Sequence, residues 1–420
     1  VIARKSIAVL LAWPPTRDNL GWPTALPWYL LSNAPADVDI HLFYFRHEEK
    51  HRDRWMRDLK SLRLASVTEL EPYWTKWENW LRLRSPASRQ GFPVQVDWFP
   101  IRRKTLKRIQ ACKPDAIWIY PHWLSSWAAC LEAERIVVTG PDCAVLHHER
   151  AISTLISRSP EEIEKQKSDL ATYMVLEQHL ATTRAAVHVV GQADADRFNE
   201  LAQRQQATFT VHPHFDYVAR AEGKRDGEPL RVIMSGDPSA VYIGDHGQRI
   251  VDSLVKESLK LRDEIAITLT GKNWDTLSAK LLGAGYSVRH ETWVEDYPAT
   301  LAAHDVALCP YAVGVGTKGK VLQAMATGLL TIGSQMAFEN VQAVAGQDFL
   351  EYEKPEEISH FLAGIIADRA ECERIAEAGA NAVREYHSPR QTGEAFWSYV
   401  FSANGQFDAY RETSSPAGVR

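Results

Sequence analysis

The chain has 420 residues, 45% hydrophobic and 24% charged, with a formal net charge of -5. That balance is typical of globular proteins and excludes a disordered or collagen-like chain. No apolar run approaches the roughly 20 residues that a bilayer crossing needs, and the length suits two domains of roughly 200 residues.

The opening V-I-A-R-K-S-I-A-V-L-L-A-W, followed by Pro14 and Pro15, reads as a first buried strand and not as a signal peptide. Short apolar runs then alternate with helical stretches, the rhythm of a doubly wound α/β protein with parallel sheets. In the first half the predicted strands are residues 7–13, 38–45, 94–99, 116–120, 136–139 and 186–190. Residues 159–182 open S-P-E-E, with Ser159 as N-cap, Pro160 at the first helical position and acids in the first turn.

From Arg46 to Lys113 there are 17 Lys+Arg against 8 Asp+Glu, and the stretch carries Trp55, Trp74, Trp77, Trp80 and Trp98. Cations interleaved with indoles suit an anionic membrane surface; the same residues also read as a solvated insert with its tryptophans packed inward. A sequence pI near 6.3 argues against nucleic acid as partner. The five cysteines are scattered, without C-x-x-C, which argues against a disulfide framework or a zinc site and for a cytoplasmic location.

The polar stretch R-A-E-G-K-R-D-G-E-P, residues 220–229, reads as a linker between domains 1–219 and 230–388. Beyond it the predicted strands are 231–235, 265–270, 287–290, 305–309, 329–332 and 349–352. The predicted helices there are 248–261, 275–282, 297–303, 318–327 and 356–385. Residues 389–401 form an aromatic amphipathic segment, read as a terminal helix crossing back to the first domain, with a flexible tail to residue 420.

The most informative stretch is G-V-G-T-K-G-K-V-L-Q-A-M-A-T-G, residues 314–328. It puts a glycine loop before a short helix starting near Thr317, with Lys318 and Lys320 in the first turn. A bare loop and a helix start offer unpaired N–H groups to an anion. Lysines stand at the end of a helix where the dipole disfavours them, so an anion is the expected partner.

With those pieces in place, the chain resembles the GT-B glycosyltransferases, specifically the retaining class called family four. The resemblance rests on residues 230–385: R-V-I-M-S-G-D, I-T-L-T-G, V-E-D-Y-P-A-T-L-A-A-H-D-V-A-L-C-P-Y and the lysine-bearing stretch itself. It implies two Rossmann-like domains facing a central cleft. It also implies transfer of a sugar from a nucleotide diphosphate sugar to a saccharide or lipid-linked saccharide, with retention and without a metal or other cofactor. Gly316, Thr317 and Lys318 would then hold the donor diphosphate, with Lys320 in support and Gly236 in the loop after the domain's first strand. Gln323 stands where the family has its second motif glutamate, and Val315 where it has its first; Glu339 is a candidate to compensate. Gly21, in N-L-G-W-P, is similar to the family's glycine loop near the acceptor.

Asp142 and His122 are the first-domain candidates for touching the donor sugar or the acceptor hydroxyl, since both follow predicted strands. His122 reads equally as a packed loop histidine, and Asp142 as a turn residue or helix cap. Asp194-Ala195-Asp196 has the form of a metal-binding D-x-D but precedes Arg197 and Phe198 as helix-start acids do. Two other functions share the fold: a non-catalytic nucleotide-sugar-binding protein and a sugar-nucleotide epimerase.

Overall fold

The computed structural model describes residues 4–19, 22–46, 51–71, 91–140, 142–154, 159–220 and 227–402. The N-terminal lobe begins β1 (Lys5–Leu11), α1 (Ala25–Ser32), β2 (Val38–Phe45), α2 (Arg52–Lys60) and β3 (Ser66–Leu70). It continues α3 (Arg103–Ala111), β4 (Ala116–Tyr120), β5 (Arg135–Thr139), α4 (Ala144–Thr154) and α5 (Pro160–Thr182). It ends β6 (Ala186–Val189), α6 (Gln192–Ala202) and β7 (Ala207–Phe209). All seven strands are parallel, in the order β3-β2-β1-β4-β5-β6-β7.

Alternate residues of one strand feed two cores, as the period of two requires. Ala8, Leu10, Ile117 and Ile119 join Phe43, Phe45 and Trp127 on one face of the sheet. Ile7, Val9, Leu11, Trp118 and Tyr120 join Leu42, Phe396 and Trp397 on the other. Helices on both faces thus explain why these strands read as continuous apolar runs.

The C-terminal lobe repeats the plan with β8 (Leu230–Ser235), α7 (His246–Lys256), α8 (Ser258–Leu261), β9 (Ile265–Thr270), α9 (Asp275–Gly283) and β10 (Ser287–Glu291). Then come α10 (Tyr297–Ala302), β11 (Val306–Cys309), α11 (Gly319–Thr327), β12 (Leu330–Ser334), α12 (Gln335–Phe338) and β13 (Leu350–Tyr352). Its parallel sheet has the order β10-β9-β8-β11-β12-β13. The helices α13 (Ile358–Ala367) and α14 (Arg369–Tyr386) follow, and α15 (Pro389–Val400) returns to the first lobe. There Trp397 Nε1 donates to the Leu30 carbonyl at 2.8 Å and Phe396 packs on Trp118. The chain therefore crosses between lobes twice, and the crossings touch: His214 N–H donates to the His387 carbonyl at 2.8 Å, and His387 Nδ1 lies 2.8 Å from the His212 carbonyl.

Ser159 makes the full capping box with Glu162. Other expectations need correction. Residues 94–99 are not a strand: Val94–Trp98 is a 3-10 turn, because Pro93 and Pro100 flank it and proline offers a sheet ladder no donor. The edge strands β3 and β7 escaped notice, being short and partly polar. The helix expected over 356–385 breaks at Asp368, whose side chain caps α14 by accepting from Glu371 N–H. Within the basic insert Trp55 is buried against Tyr44, and Trp98 packs edge-on against Trp22. Trp74, Trp77 and Trp80 lie outside the described residues, as do Gly21, residues 221–226 of the expected linker and the tail from 403.

Candidate functional site

Parallel strands deliver their C-terminal ends to one side, so the loops after β5, β6 and β11 converge between the lobes. The loop after β5 carries Asp142 and leads into α4. The fully buried Glu177 of α5 caps that helix, its carboxyl accepting from Ala144 N–H at 2.7 Å, Val145 N–H at 3.3 Å and the Cys143 thiol at 3.2 Å. A carboxyl at a helix N-terminus answers the unpaired donors there. Burial nevertheless pushes the pKa of Glu177 up to about 8. Two turns along α4, Arg150 reaches across the cleft. Its guanidinium donates to the Gly314 carbonyl at 2.8 Å and grips Glu339 in a bidentate pair at 2.9 and 2.8 Å.

The loop after β6 contributes Asp194, which is fully buried near the start of α6. Its Oδ1 accepts from Cys143 N–H at 2.6 Å within its own lobe, and its Oδ2 accepts from Gly316 N–H at 2.9 Å in the other. Both oxygens of this carboxyl are thereby engaged by backbone donors, and Asp196 accepts from Gln192 at 2.7 Å. Thr317 adds a second bridge by donating its hydroxyl to the Val190 carbonyl at 2.7 Å. Asn340 adds a third: its amide donates to the Gly316 carbonyl at 2.9 Å and accepts from Gln192 N–H at 3.3 Å. Gly191 permits this approach, since a Cβ there would stand 3.3 Å from Gly316 Cα and on top of the Asp194 carboxyl.

On the second lobe the glycine loop turns at Gly316, whose φ of 60° is left-handed. The helix begins at Gly319, not Thr317, so Lys318 precedes it and Lys320 is its second residue. Lys318 is 8% exposed; its ammonium donates to Glu339 Oε2 and to the Gly316 carbonyl, both at 3.3 Å. A Cβ at Gly314 would lie 2.7 Å from Lys318 Cε, so that position must be bare for the lysine to fold back. The partner expected of an external anion is here the protein's own Glu339. Lys320 is exposed, but protein surrounds its ammonium, 5.6 Å from the Tyr297 ring centre, and burial lowers its pKa.

Three carboxyls, Asp142, Asp194 and Glu339, thus face two cations, Lys318 and Arg150. Burial raises Asp142 well above the usual carboxyl range, the Asp194 charge adds to this, and Lys318 only partly offsets it. Asp194 is raised too, by burial, against the pull of its two N–H donors. Burial also works against the Glu339 charge, but the Arg150 hydrogen bond and the two cations outweigh it and hold Glu339 below its ordinary value. Lys318 is lowered by burial. With one acid in excess, the cluster balances by retaining a proton, on the aspartyl side.

His122 follows β4 and is buried with both ring nitrogens unpaired among the described residues. Burial lowers its pKa to about 4, so it is a neutral imidazole. A Cβ on Gly140 would lie 3.2 Å from its Nδ1 and 3.0 Å from the Asp142 carbonyl, which places His122 beside the Asp142 segment. Gly236 follows β8 with φ 140°, its carbonyl accepting from Trp274 Nε1 at 2.9 Å. Gln323 is buried and donates its amide to the Asp216 carbonyl at 2.7 Å.

The structure therefore gathers Asp142, Gly316, Thr317, Lys318 and Glu339 around one point, while Gln323 is tied to the segment leaving the first lobe. Sequence reasoning missed Arg150, Glu177 and the bridging role of Asp194. Arg150 had a usable signal, because residues 143, 147 and 150 share one helical face.

Residues 248–397 match the model of a family described as glycosyl transferase-like. No curated protein matches the chain. Among solved structures, the fold is similar to that of HepE from Anabaena, crystallised with UDP and glucose, at 12% identity and a TM-score of 0.59; the match covers 93% of this chain and 97% of that one. It is also similar to sucrose-phosphate synthase from Thermosynechococcus elongatus, at 10% identity, 94% and 97% coverage and a TM-score of 0.61. A third similar structure is the lipopolysaccharide outer core galactosyltransferase WaaB, at 11% identity, 94% and 99% coverage and a TM-score of 0.58. The architecture is that of the GT-B fold, and with the family match over residues 248–397 it supports a GT-B glycosyltransferase.

Proposed function

We propose that the protein transfers a glycosyl unit from a nucleoside diphosphate sugar to a saccharide or lipid-linked saccharide, with retention and without a metal. The observation that carries this reading is a pair of cations from opposite lobes: Lys318 and Arg150 meet at Glu339, at the C-terminal ends of two parallel sheets. A departing diphosphate needs fixed positive charge in a protected cleft, and preorganised electrostatics of that kind dominates such chemistry. The UDP found in HepE supports a nucleotide donor. Asp142 carrying a proton, beside a neutral His122, would offer hydrogen bonds to the reacting sugar or the acceptor hydroxyl.

A cationic face on α3, formed by Arg103, Lys104, Lys107 and Arg108, supports contact with an anionic membrane surface at its cytoplasmic side. Among the described residues no helix is long and apolar enough to cross a membrane.

The rival reading, a nucleotide-sugar-binding protein without turnover, draws on Gln323: its side chain is already committed to Asp216 and is withheld from a ribose. A thermal-shift screen with UDP, GDP, ADP and TDP sugars tests the proposal, since a ligand bound only by the folded state raises stability. One nucleotide should give a specific shift that Lys318→Ala removes. An undiminished shift in that variant would overturn the donor-site assignment, and binding without nucleotide release over a saccharide panel would favour the rival.

A further inference from the structure

We infer that Arg150 and Lys318 form an interlobe site for a diphosphate, and that Glu339 occupies this site until the diphosphate displaces it. The inference rests on the donor reading above and adds to it a ligand from the first lobe and a built-in competitor.

Two cations from opposite lobes share one carboxylate oxygen. Arg150 Nη1 donates to Glu339 Oε2 at 2.9 Å, and Lys318 Nζ approaches the same atom at 3.3 Å. A nonbridging phosphate oxygen makes the same demand on its surroundings, and a guanidinium pairs bidentately with phosphate as it does with carboxylate. Both cations are turned onto Glu339 while it stays. The site already holds more acids than cations, so a polyanion cannot simply be added to it.

Of the three carboxyls, Glu339 is the one built to leave. Asp194 has no exposure, sits inside α6 and is held at both oxygens by backbone N–H groups. Asp142 accepts no hydrogen bond from either cation among the described residues and gives neither a full charge. Glu339 has a side chain 22% exposed and ends the four-residue helix α12. The next residue, Asn340, turns the chain at φ 64°. An incoming diphosphate brings more charge and more acceptor oxygens than one carboxylate and takes over both cations. When the diphosphate product departs, Glu339 returns to its place and speeds the release.

Calorimetric titration of inorganic pyrophosphate and of UDP into the wild type, Glu339→Gln, Arg150→Ala and Arg150→Lys tests this. Glu339→Gln should bind pyrophosphate about tenfold tighter than the wild type, the scale of one charge-assisted hydrogen bond. Arg150→Ala should bind it about tenfold more weakly than the wild type, with Arg150→Lys in between. Pyrophosphate affinity unchanged or weakened in Glu339→Gln would overturn the inference, because Glu339 would then be a ligand or a bystander and not a competitor. If that variant does not fold, Glu339→Asp, too short to span both cations, should show the same gain at smaller size, and no gain refutes the inference equally. The donor reading fails separately if UDP binds no tighter than pyrophosphate in every variant.

Discussion

Asp194→Ala removes a carboxyl that accepts backbone N–H groups from both lobes, and its cost can be worked out from the bonds it breaks. Two buried backbone donors, Cys143 N–H and Gly316 N–H, lose their acceptor. An orphaned buried donor costs about 1–3 kcal/mol, so the gross loss is about 2–6 kcal/mol. Removing an acid from a cluster with too many returns a part, which leaves an expected net loss of about 2–4 kcal/mol. Asp194→Asn keeps one acceptor oxygen and turns an amide toward the other donor, so roughly half that loss is expected. Eleven of the 14 tryptophans lie before residue 220, so urea unfolding followed by tryptophan fluorescence reads mainly the first lobe. Two lobes need not unfold in one step, and each transition must be fitted separately. If both variants lie within about 0.5 kcal/mol of the wild type, Asp194 is not the clasp inferred from its geometry.

Two further expectations follow from the same junction. Glu177 has a pKa of about 8 in the folded protein against an ordinary value of about 4.3, so the folded state holds the extra proton between those values. Its contribution to stability is complete at low pH and is lost as pH rises toward 8. The difference in melting temperature between wild type and Glu177→Gln should therefore change from about pH 5 to about pH 8 and level off above, and a flat difference throughout would show that burial is not what sets this group. Gly191→Ala would place a methyl against the Asp194 carboxyl and 2.8 Å from Asn340 Nδ2. It should cost about 1–3 kcal/mol by overpacking and raise the radius of gyration in solution scattering as the lobes part; an unchanged radius would contradict the tight contact.

Much of the fold was readable because parallel strands buried on both faces are uninterrupted apolar runs, as in A-I-W-I-Y over Ala116–Tyr120. The edge strands were not, because an edge buries only one side and Ser66–Leu70 carries Ser66, Thr68 and Glu69 among its five residues. At the site, Lys318 was legible from its place after a glycine loop. Arg150 and Asp194 were not, because their importance depends on which residues face them from 150 or so positions away. The raised pKa of Asp142 is likewise invisible in a linear chain, since it comes from burial and then from Asp194 at another strand end, partly offset by Lys318 of the other lobe. Lys318 was expected to await an outside anion; only the structure shows Glu339 already there.

The contacts of His387 with His212 and His214 put the two chain crossings side by side. Two connections side by side permit rocking about the line that joins them and resist twisting, much as a door on two pins swings without rotating in its frame. Rocking about that line would part or seat the Arg150–Glu339 contact, which joins the two lobes. The order of events in a working cycle would then be set at that contact, by whichever anion holds it shut.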